Sequence, residues 1–266
     1  MWDLHMHCRF SGDSEADPEA MIASAMEKGL DGLCFTDHED IDYPKTPDDI
    51  DFLIDFDAYY KEMTALKQKY EGRFNVLMGV ELGLQEQVAE QNAQILKNYP
   101  FDMAIGSIHV VHCEDPYYPA FYENRTSKEA FREYFEATLE NIKVFSDFDV
   151  LGHLGYIIRY APGQMRDFDP KDYMEIVDEI FKYLISHGKG IEINSSGYKS
   201  GLGPLPCKEY LLRYKELGGE IITTGADAHK PEDVAHSFDQ SRQLLLDCGF
   251  KHYTVFKNRK AEFYPL

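Results

Sequence analysis

The sequence predicts an α/β fold in which seven βα units close into a barrel, one short of the familiar eight. Three observations predict it. Short apolar or β-branched runs alternate with amphipathic stretches long enough for helices, the pattern of parallel βα units. The helical stretches repeatedly open on proline and stop on glycine. In PEAMIASAMEKG, Asp17 stands at the N-cap, Pro18 in the first turn and Gly29 at the stop. No G-x-G-x-x-G turn follows a strand, and the loop after the first strand holds only Gly12. That counts against an open doubly wound sheet, the runner-up.

The predicted strands are WDLHMH, DGLCFTDH, FNVLMGVELG, FDMAIGSIH, DVLGHLG, GIEINSSG and EIITTGADAH, each an apolar or β-branched run of strand length. After PEAMIASAMEKG, the helical stretches between and after them are DAYYKEMTALKQKYEG, QVAEQNAQILKNYP, SKEAFREYFEATLENIKVF, PKDYMEIVDEIFKYLISHG, CKEYLLRYKELGG and PEDVAHSFDQSRQLLLDCG. The tail HYTVFKNRKAEFYPL reads as a final strand or hairpin outside the repeat. No repeat, low-complexity tract or linker divides the chain, so one domain over residues 1–266 is expected.

Composition narrows the class. With 44% hydrophobic and 28% charged residues the chain reads as a soluble globular protein. No apolar run approaches the roughly 20 residues of a membrane span. The N-terminus lacks the basic and apolar regions of a signal peptide, so no membrane partner and a cytoplasmic location are expected. Cys8, Cys34, Cys113, Cys207 and Cys248 are odd in number, scattered and without C-x-x-C, which fits free thiols rather than a disulfide frame or Cys-type zinc site. The net charge of −20 repels phosphodiester backbones, so no nucleic-acid partner is expected. It suits a cationic ligand or the charge of bound metal ions. For most of these acids, though, a solvated surface is reading enough.

The chemistry collects at the C-terminal ends of the predicted strands. Strand one ends in His5 and His7, two apart and so on one side, with Asp13 in the loop that follows. Strand two ends in Asp37 and His38, strand three in Glu81, strand four in His109, strand five in His153, and strand seven in Asp227 and His229. Strand six offers Asn194, Ser195 and Ser196. In a β/α barrel these ends converge on one face, where active sites are built. A lone residue such as His153 is more often an ordinary hydrogen-bonded histidine than a ligand. Six strand ends are another matter, because buried carboxylates and imidazoles are costly unless paired or metal-bound. In SIHVVHCED the strand-end position favours His109 over His112; His187 reads as a helix-end cap, and His236 and His252 as structural or solvated.

Nine ligands, His5, His7, Asp13, His38, Glu81, His109, His153, Asp227 and His229, exceed the needs of one ion or two, and their mixture of imidazole and carboxylate suits Zn, Mn or Fe. Three divalent ions would bring six positive charges, of which the carboxylates of Asp13, Glu81 and Asp227 remove three. The remainder matches a hydroxide plus a phosphate dianion, which points to phosphate ester chemistry.

H-x-H at the start, T-D-H, the Glu after strand three, S-I-H, G-H-L and a closing D-A-H, in that order, resemble the PHP (polymerase and histidinol phosphatase) family across essentially the whole chain. Within it, GHLGYIIRY, EINSSGYKSGLGPLP and GADAHKPED look most like the stand-alone histidinol-phosphate phosphatases of histidine biosynthesis. The resemblance implies a distorted (β/α)7 TIM-like barrel with a trinuclear centre and L-histidinol phosphate as the small-molecule partner. His5, His7, Glu81 and Asp227 would hold the first metal, Glu81, His109 and His153 the second, with Glu81 bridging, and Asp13, His38 and His229 the third. Many members carry His where this chain has Asp13. Similar phosphatases usually have Arg near Lys199, and a lysine offers a point charge rather than a fork.

The implied mechanism is in-line attack on phosphorus by a hydroxide bridging two metals. Arg159 is the candidate phosphate clamp with Lys199 as partner, against a surface salt bridge as the ordinary reading of Arg159. Asp37 or a metal-bound water would protonate the leaving alkoxide. Acidic residues such as Glu39, Asp40, Glu114 and Asp115 would receive the amine and imidazole of the substrate. An amidohydrolase-type enzyme would normally show eight units and end in a single Asp. A PHP nuclease is opposed by the acidic surface. A phosphatase for another small ester (a nucleotide or phosphotyrosine) stays open, and an idle metal-binding module would need a complete ligand set to do nothing.

Overall fold

Seven parallel strand positions form the barrel in the computed structural model, which describes residues 1–163 and 167–266. They are β1 (Trp2–Asp3), β2 (Gly32–Phe35) continued by β3 (His38–Glu39), β4 (Asn75–Gly83), β5 (Met103–Ser107), β6 (Val150–Leu151), β7 (Gly190–Asn194) and β8 (Ile222–Gly225). Sheet pairing runs β1-β2-β4-β5-β6-β7-β8, and His38 of β3 lies opposite Glu81 of β4. The first and last strand positions close the circle. Leu4 N donates to Thr224 O at 2.9 Å, Asp227 N to His5 O at 2.8 Å and His7 N to Ala228 O at 2.8 Å. The expected seven-unit barrel is thus the observed one.

The helices are α1 (Pro18–Glu27), α2 (Phe56–Tyr70), α3 (Ala89–Asn98), α4 (Ser127–Val144), α5 (Tyr156–Tyr160), α6 (Met174–Ser186), α7 (Lys208–Glu216) and α8 (Phe238–Asp247). Their starts follow the local chemistry. Asp17 accepts from Glu19 N at 2.8 Å to cap α1, and Thr126 and Glu129 form a reciprocal capping box on α4.

Two hydrophobic clusters divide the interior. The larger lies around the outer face of the sheet, where Leu33, Phe35, Val76, Met78 and Ala104 meet the helices. The smaller fills the N-terminal end of the barrel, where Leu4, Cys34, Leu77, Met103, Ile105 and Val150 pack on Tyr253, Val255 and Phe256. Those last three belong to β9 (His252–Lys257), which pairs antiparallel with β10 (Lys260–Pro265). The tail hairpin therefore plugs the bottom of the barrel. On β5, Met103 and Ile105 point inward and Ala104 outward, the alternation of a strand.

Three local expectations change. WDLHMH is a regular strand only over Trp2–Asp3. Leu4 belongs to the inner cluster but Met6 to the outer one, so the side-chain parity shifts between them and leaves His5 and His7 facing inward. The second predicted strand breaks at Thr36–Asp37, where the Asp37 carboxylate takes the Cys8 N–H at 2.7 Å in place of a ladder carbonyl. The last helix was expected from Pro231, yet only a short 3-10 turn covers Pro231–Asp233 and α8 starts at Phe238. The intervening chain bends so that Ala235 N reaches the buried Asp3 carboxylate at 2.8 Å.

Candidate metal centre

The inward side chains change character along the barrel. On β4 the inner positions run from Leu77 at the bottom to Glu81 near the top, and on β5 from Ile105 through Ser107 toward His109 just beyond the strand. Glu81 is fully buried and central. Its Oε2 lies 3.1 Å from His5 Nε2, 3.5 Å from His7 Nε2 and 3.0 Å from His38 Nδ1. Its Oε1 lies 2.9 Å from His153 Nε2 and 3.3 Å from His109 Nε2, and accepts from Ser107 Oγ at 2.6 Å. Asp227 Oδ1 stands 3.8 Å from His5 Nε2 and 3.4 Å from His7 Nε2. Asp13 Oδ2 lies 3.0 Å from His229 Nε2 and 3.7 Å from His38 Nε2. The rings of His38 and His229 each stack on that of His7, with centroids 4.1 and 4.2 Å away.

All nine residues read from the strand ends therefore meet in one cluster. His112 does not join it: it is exposed and pairs with Glu133 and Glu140. His187 caps the end of α6.

The donor set fits cations. His5 Nε2, His7 Nε2, His38 Nδ1 and Glu81 Oε2 are buried and find no hydrogen-bond partner among the described residues. Four triads of the cluster bring their ligand atoms within 4.8 Å of one another, His5–His7–Glu81 and His7–His38–His229 among them. Unspent lone pairs converging from opposite walls are what a metal needs and what a hydrogen-bonded core avoids.

The proton balance agrees. Burial favours a neutral Glu81, but the imidazoles of His5, His38 and His109 outweigh it and hold the carboxyl well below its usual range. His38 is pulled the other way: burial opposes its charge, yet Glu81 and Asp13 raise it to about 9. His7, buried beside His38 and His229, is pushed well below its ordinary value. Without metal, one cluster holds imidazoles driven in opposite directions by competition for the same carboxylates.

A second ring of groups holds the first. Asp40 Oδ1 meets His109 Nδ1 at 2.9 Å, Ser11 Oγ meets His7 Nδ1 at 3.0 Å, and Glu192 Oε1 meets His5 Nδ1 at 2.7 Å. Ligating imidazoles typically donate their second N–H in this way. Glu192 was missed at sequence level. Its signal was the alternation of GIEIN, which puts Glu192 and Asn194 on the same inward face of β7.

Two sequence expectations are corrected. Asp37 does not line the cleft above the cluster. It is fully buried and accepts from Cys8 N, Cys8 Sγ and Ser11 Oγ, so it supports the His7 loop instead of facing a leaving group. Burial raises it to about 6 against those hydrogen bonds. Lys199 pairs with Asp233 at 2.8 Å and does not line the cleft either, so it is no partner for Arg159.

Arg159 does line it. Its guanidinium reaches Asp227 Oδ2 at 3.1 Å and Asn194 Oδ1 at 3.4 Å and also bonds Ser196. The cleft, a cavity of about 180 Å³, has His38, His109, His153 and His229 at its base, with Tyr43, Tyr117, Tyr118, Tyr156 and Tyr160 around it. Of the acidic loop residues, Asp40 and Asp115 open onto it, joined by Asp48. Glu39 instead accepts from Ile54 N at 2.7 Å, and Glu114 pairs with Arg125. The tyrosines were not singled out because they come from three separate segments, Tyr43, Tyr117–Tyr118 and the short helix α5 with Tyr156 and Tyr160, with no spacing common to all.

A parallel barrel with imidazoles and carboxylates gathered at its C-terminal strand ends defines a metal-site barrel of the hydrolytic kind. The chain belongs to the PHP domain family, whose pattern matches residues 3–196. It is 30% identical to the histidinol-phosphatase of Lactococcus lactis, covering 98% of this chain and 96% of that protein. It is 32% identical to a probable histidinol-phosphatase of Clostridium acetobutylicum, covering 94% and 95%. The crystal structure of the L. lactis histidinol phosphate phosphatase, complexed with Zn, L-histidinol and phosphate, matches with a TM-score of 0.91 over 98% of both chains. No helix among the described residues is long and apolar enough to cross a membrane.

Proposed function

We propose that this chain is a metal-dependent phosphomonoesterase that hydrolyses L-histidinol phosphate to L-histidinol and phosphate, a step of histidine biosynthesis. The observation that carries the reading is the cluster of nine imidazole and carboxylate side chains centred on Glu81, open to a cleft that also holds Arg159. The near full-length likeness to histidinol-phosphatases supports the substrate.

Three divalent ions, Zn, Mn or Fe, are the cofactors in this reading. His5, His7, Glu81 and Asp227 hold one, Glu81, His109 and His153 another, and Asp13, His38 and His229 the third. Such ions supply a nucleophilic water at neutral pH and neutralise charge on phosphoryl oxygens. The protein's own residues do the rest. Asp40, Ser11 and Glu192 orient three ligand imidazoles. Among the described residues Arg159 offers the only arginine or lysine cation lining the cleft, and it binds the phosphate end. Asp115, which accepts from Tyr43 OH and Tyr117 N, and Asp48, which accepts from Tyr118 OH at 2.8 Å, face the cationic end of the substrate. The tyrosine walls shield that end from water and favour a cation over their faces. The enzyme acts as one domain over residues 1–266 in the cytoplasm, on a small molecule rather than nucleic acid.

The test is steady-state phosphate release from L-histidinol phosphate, nucleoside monophosphates and phosphotyrosine. A kcat/KM for histidinol phosphate at least about 100-fold above the others is expected, since the loss of a buried charged partner costs several kcal/mol. Equal rates on all three would leave a phosphoesterase and sink the assigned substrate.

A further inference from the structure

Strand β7 gives no ligand to the proposed ion positions, yet Glu192 sits buried directly behind them. One carboxylate oxygen lies 2.7 Å from His5 Nδ1. The other accepts the backbone N–H of His153 at 2.9 Å and the side-chain N–H of Asn194 at 3.1 Å. Asn194 Oδ1 in turn accepts from the Ser196 N–H at 3.1 Å and lies 3.4 Å from Arg159 Nη2. One carboxylate therefore touches a ligand ring, fixes the backbone of a second ligand and reaches, through one side chain, the guanidinium over the cleft.

The neighbouring strand is shaped around it. At Gly225 on β8 a Cβ would lie 2.1 Å from Glu192 Oε1 and 2.4 Å from His5 Cβ, so only glycine leaves the carboxylate its place. With His5 Nδ1–H donated to Glu192, the ring is held as the tautomer whose Nε2 lone pair faces Glu81 and Asp227.

We infer that Glu192 is the positioning residue of this centre: it presets His5 and His153 for metal and ties both, through Asn194, to Arg159. The inference rests on the metal-dependent phosphatase reading above. Replacing Glu by Gln keeps the shape but turns one acceptor into an N–H facing either His5 or the His153 N–H, both donors.

The experiment compares full-length wild type and Glu192→Gln, each stripped with a chelator and titrated with Zn or Mn against a chromophoric competitor. Metal affinity should fall about 10–100-fold in the variant, the usual cost of losing such an outer partner. Half-maximal phosphate release from histidinol phosphate should need correspondingly more metal. Glu192→Asp, which keeps the charge but falls about 1.5 Å short, should lie between the two, and it serves alone if Glu192→Gln does not fold. Metal affinity within about 2-fold of wild type, with only the melting temperature lowered, would overturn the inference. If both variants weaken metal binding but wild type releases no phosphate, the phosphatase reading fails and the positioning role stands.

Discussion

The two ends of the barrel bury the same kinds of residue and treat them in opposite ways. At the bottom, Asp102 accepts from Met78 N at 3.0 Å, from Lys67 Nζ at 2.7 Å and from Asn258 N at 3.2 Å. Asp149 accepts from Ala104 N at 2.8 Å and from Arg259 Nε at 2.5 Å. These carboxylates bind the strand ends to the tail hairpin and have spent their lone pairs on protein donors. At the top, Glu81 Oε2 and the free nitrogens of His5, His7 and His38 have not. Buried acids alone do not mark a functional site. What marks it is a cluster whose remaining lone pairs converge on space rather than on donors.

The contrast breaks most readily at Glu81. Glu81→Gln removes the one carboxylate facing five imidazoles from four strand ends, so phosphate release should drop on the order of 10³-fold, with metal content falling in step. Metal analysis beside the turnover assay checks it, and retained metal with full activity would show that the cluster is not the catalytic centre. Arg159→Ala comes next. Losing a charge-assisted contact to phosphate is worth about 2 kcal/mol, or about 30-fold in kcat/KM, with metal content unchanged. A kinetic comparison against wild type reads it directly.

The mirror experiment is at the bottom. Arg259→Ala strips Asp149 and Asp147 of their guanidinium partner, and the cost is expected as about 1–3 kcal/mol of stability. Chemical denaturation should show it, while kcat/KM at low temperature stays at the wild-type level. A loss of activity without loss of stability would mean the two ends are coupled.

A pH series sharpens the same point. In the metal-free protein His38 stands at about 9, above its ordinary 6.5. Its pairs with Glu81 and Asp13 therefore contribute fully below about pH 6.5, and that contribution is lost as pH rises through about 9. Metal needs the imidazole neutral, so affinity for it rises over the same range. Denaturation midpoints with and without chelator should diverge increasingly between pH 6.5 and 9; parallel curves would contradict the assignment of His38 as a ligand. The smallest effect belongs to Lys199→Ala. Its half-exposed pair with Asp233 is worth about 0–1 kcal/mol, and kcat/KM should stay within about 3-fold of wild type.

Much of this was legible in the sequence because barrel ends obey a simple rule. Once the alternation gave seven βα units, each strand's last polar residue fell on one face, and His5, Glu81, His153 and Asp227 followed without any long-range information. Lys199 and Asp37 failed for a common reason. Adjacency in sequence to a strand end does not fix the direction of a side chain, and each found a nearer partner, Asp233 for one and the Cys8–Ser11 loop for the other. Glu192 was hidden because it lies two residues inside its strand, where an acid reads as part of a pattern rather than as an end. The tyrosine-lined rim depends on how two loops and the short helix α5 come together over the barrel, which no local period records.

The most direct test of the account is metal add-back. Protein stripped by a chelator should release no phosphate from L-histidinol phosphate, and graded Zn or Mn should restore the rate as metal binds, saturating near three equivalents per chain. Turnover that survives complete removal of metal, or protein that takes up its metal and stays silent toward this substrate, would contradict it.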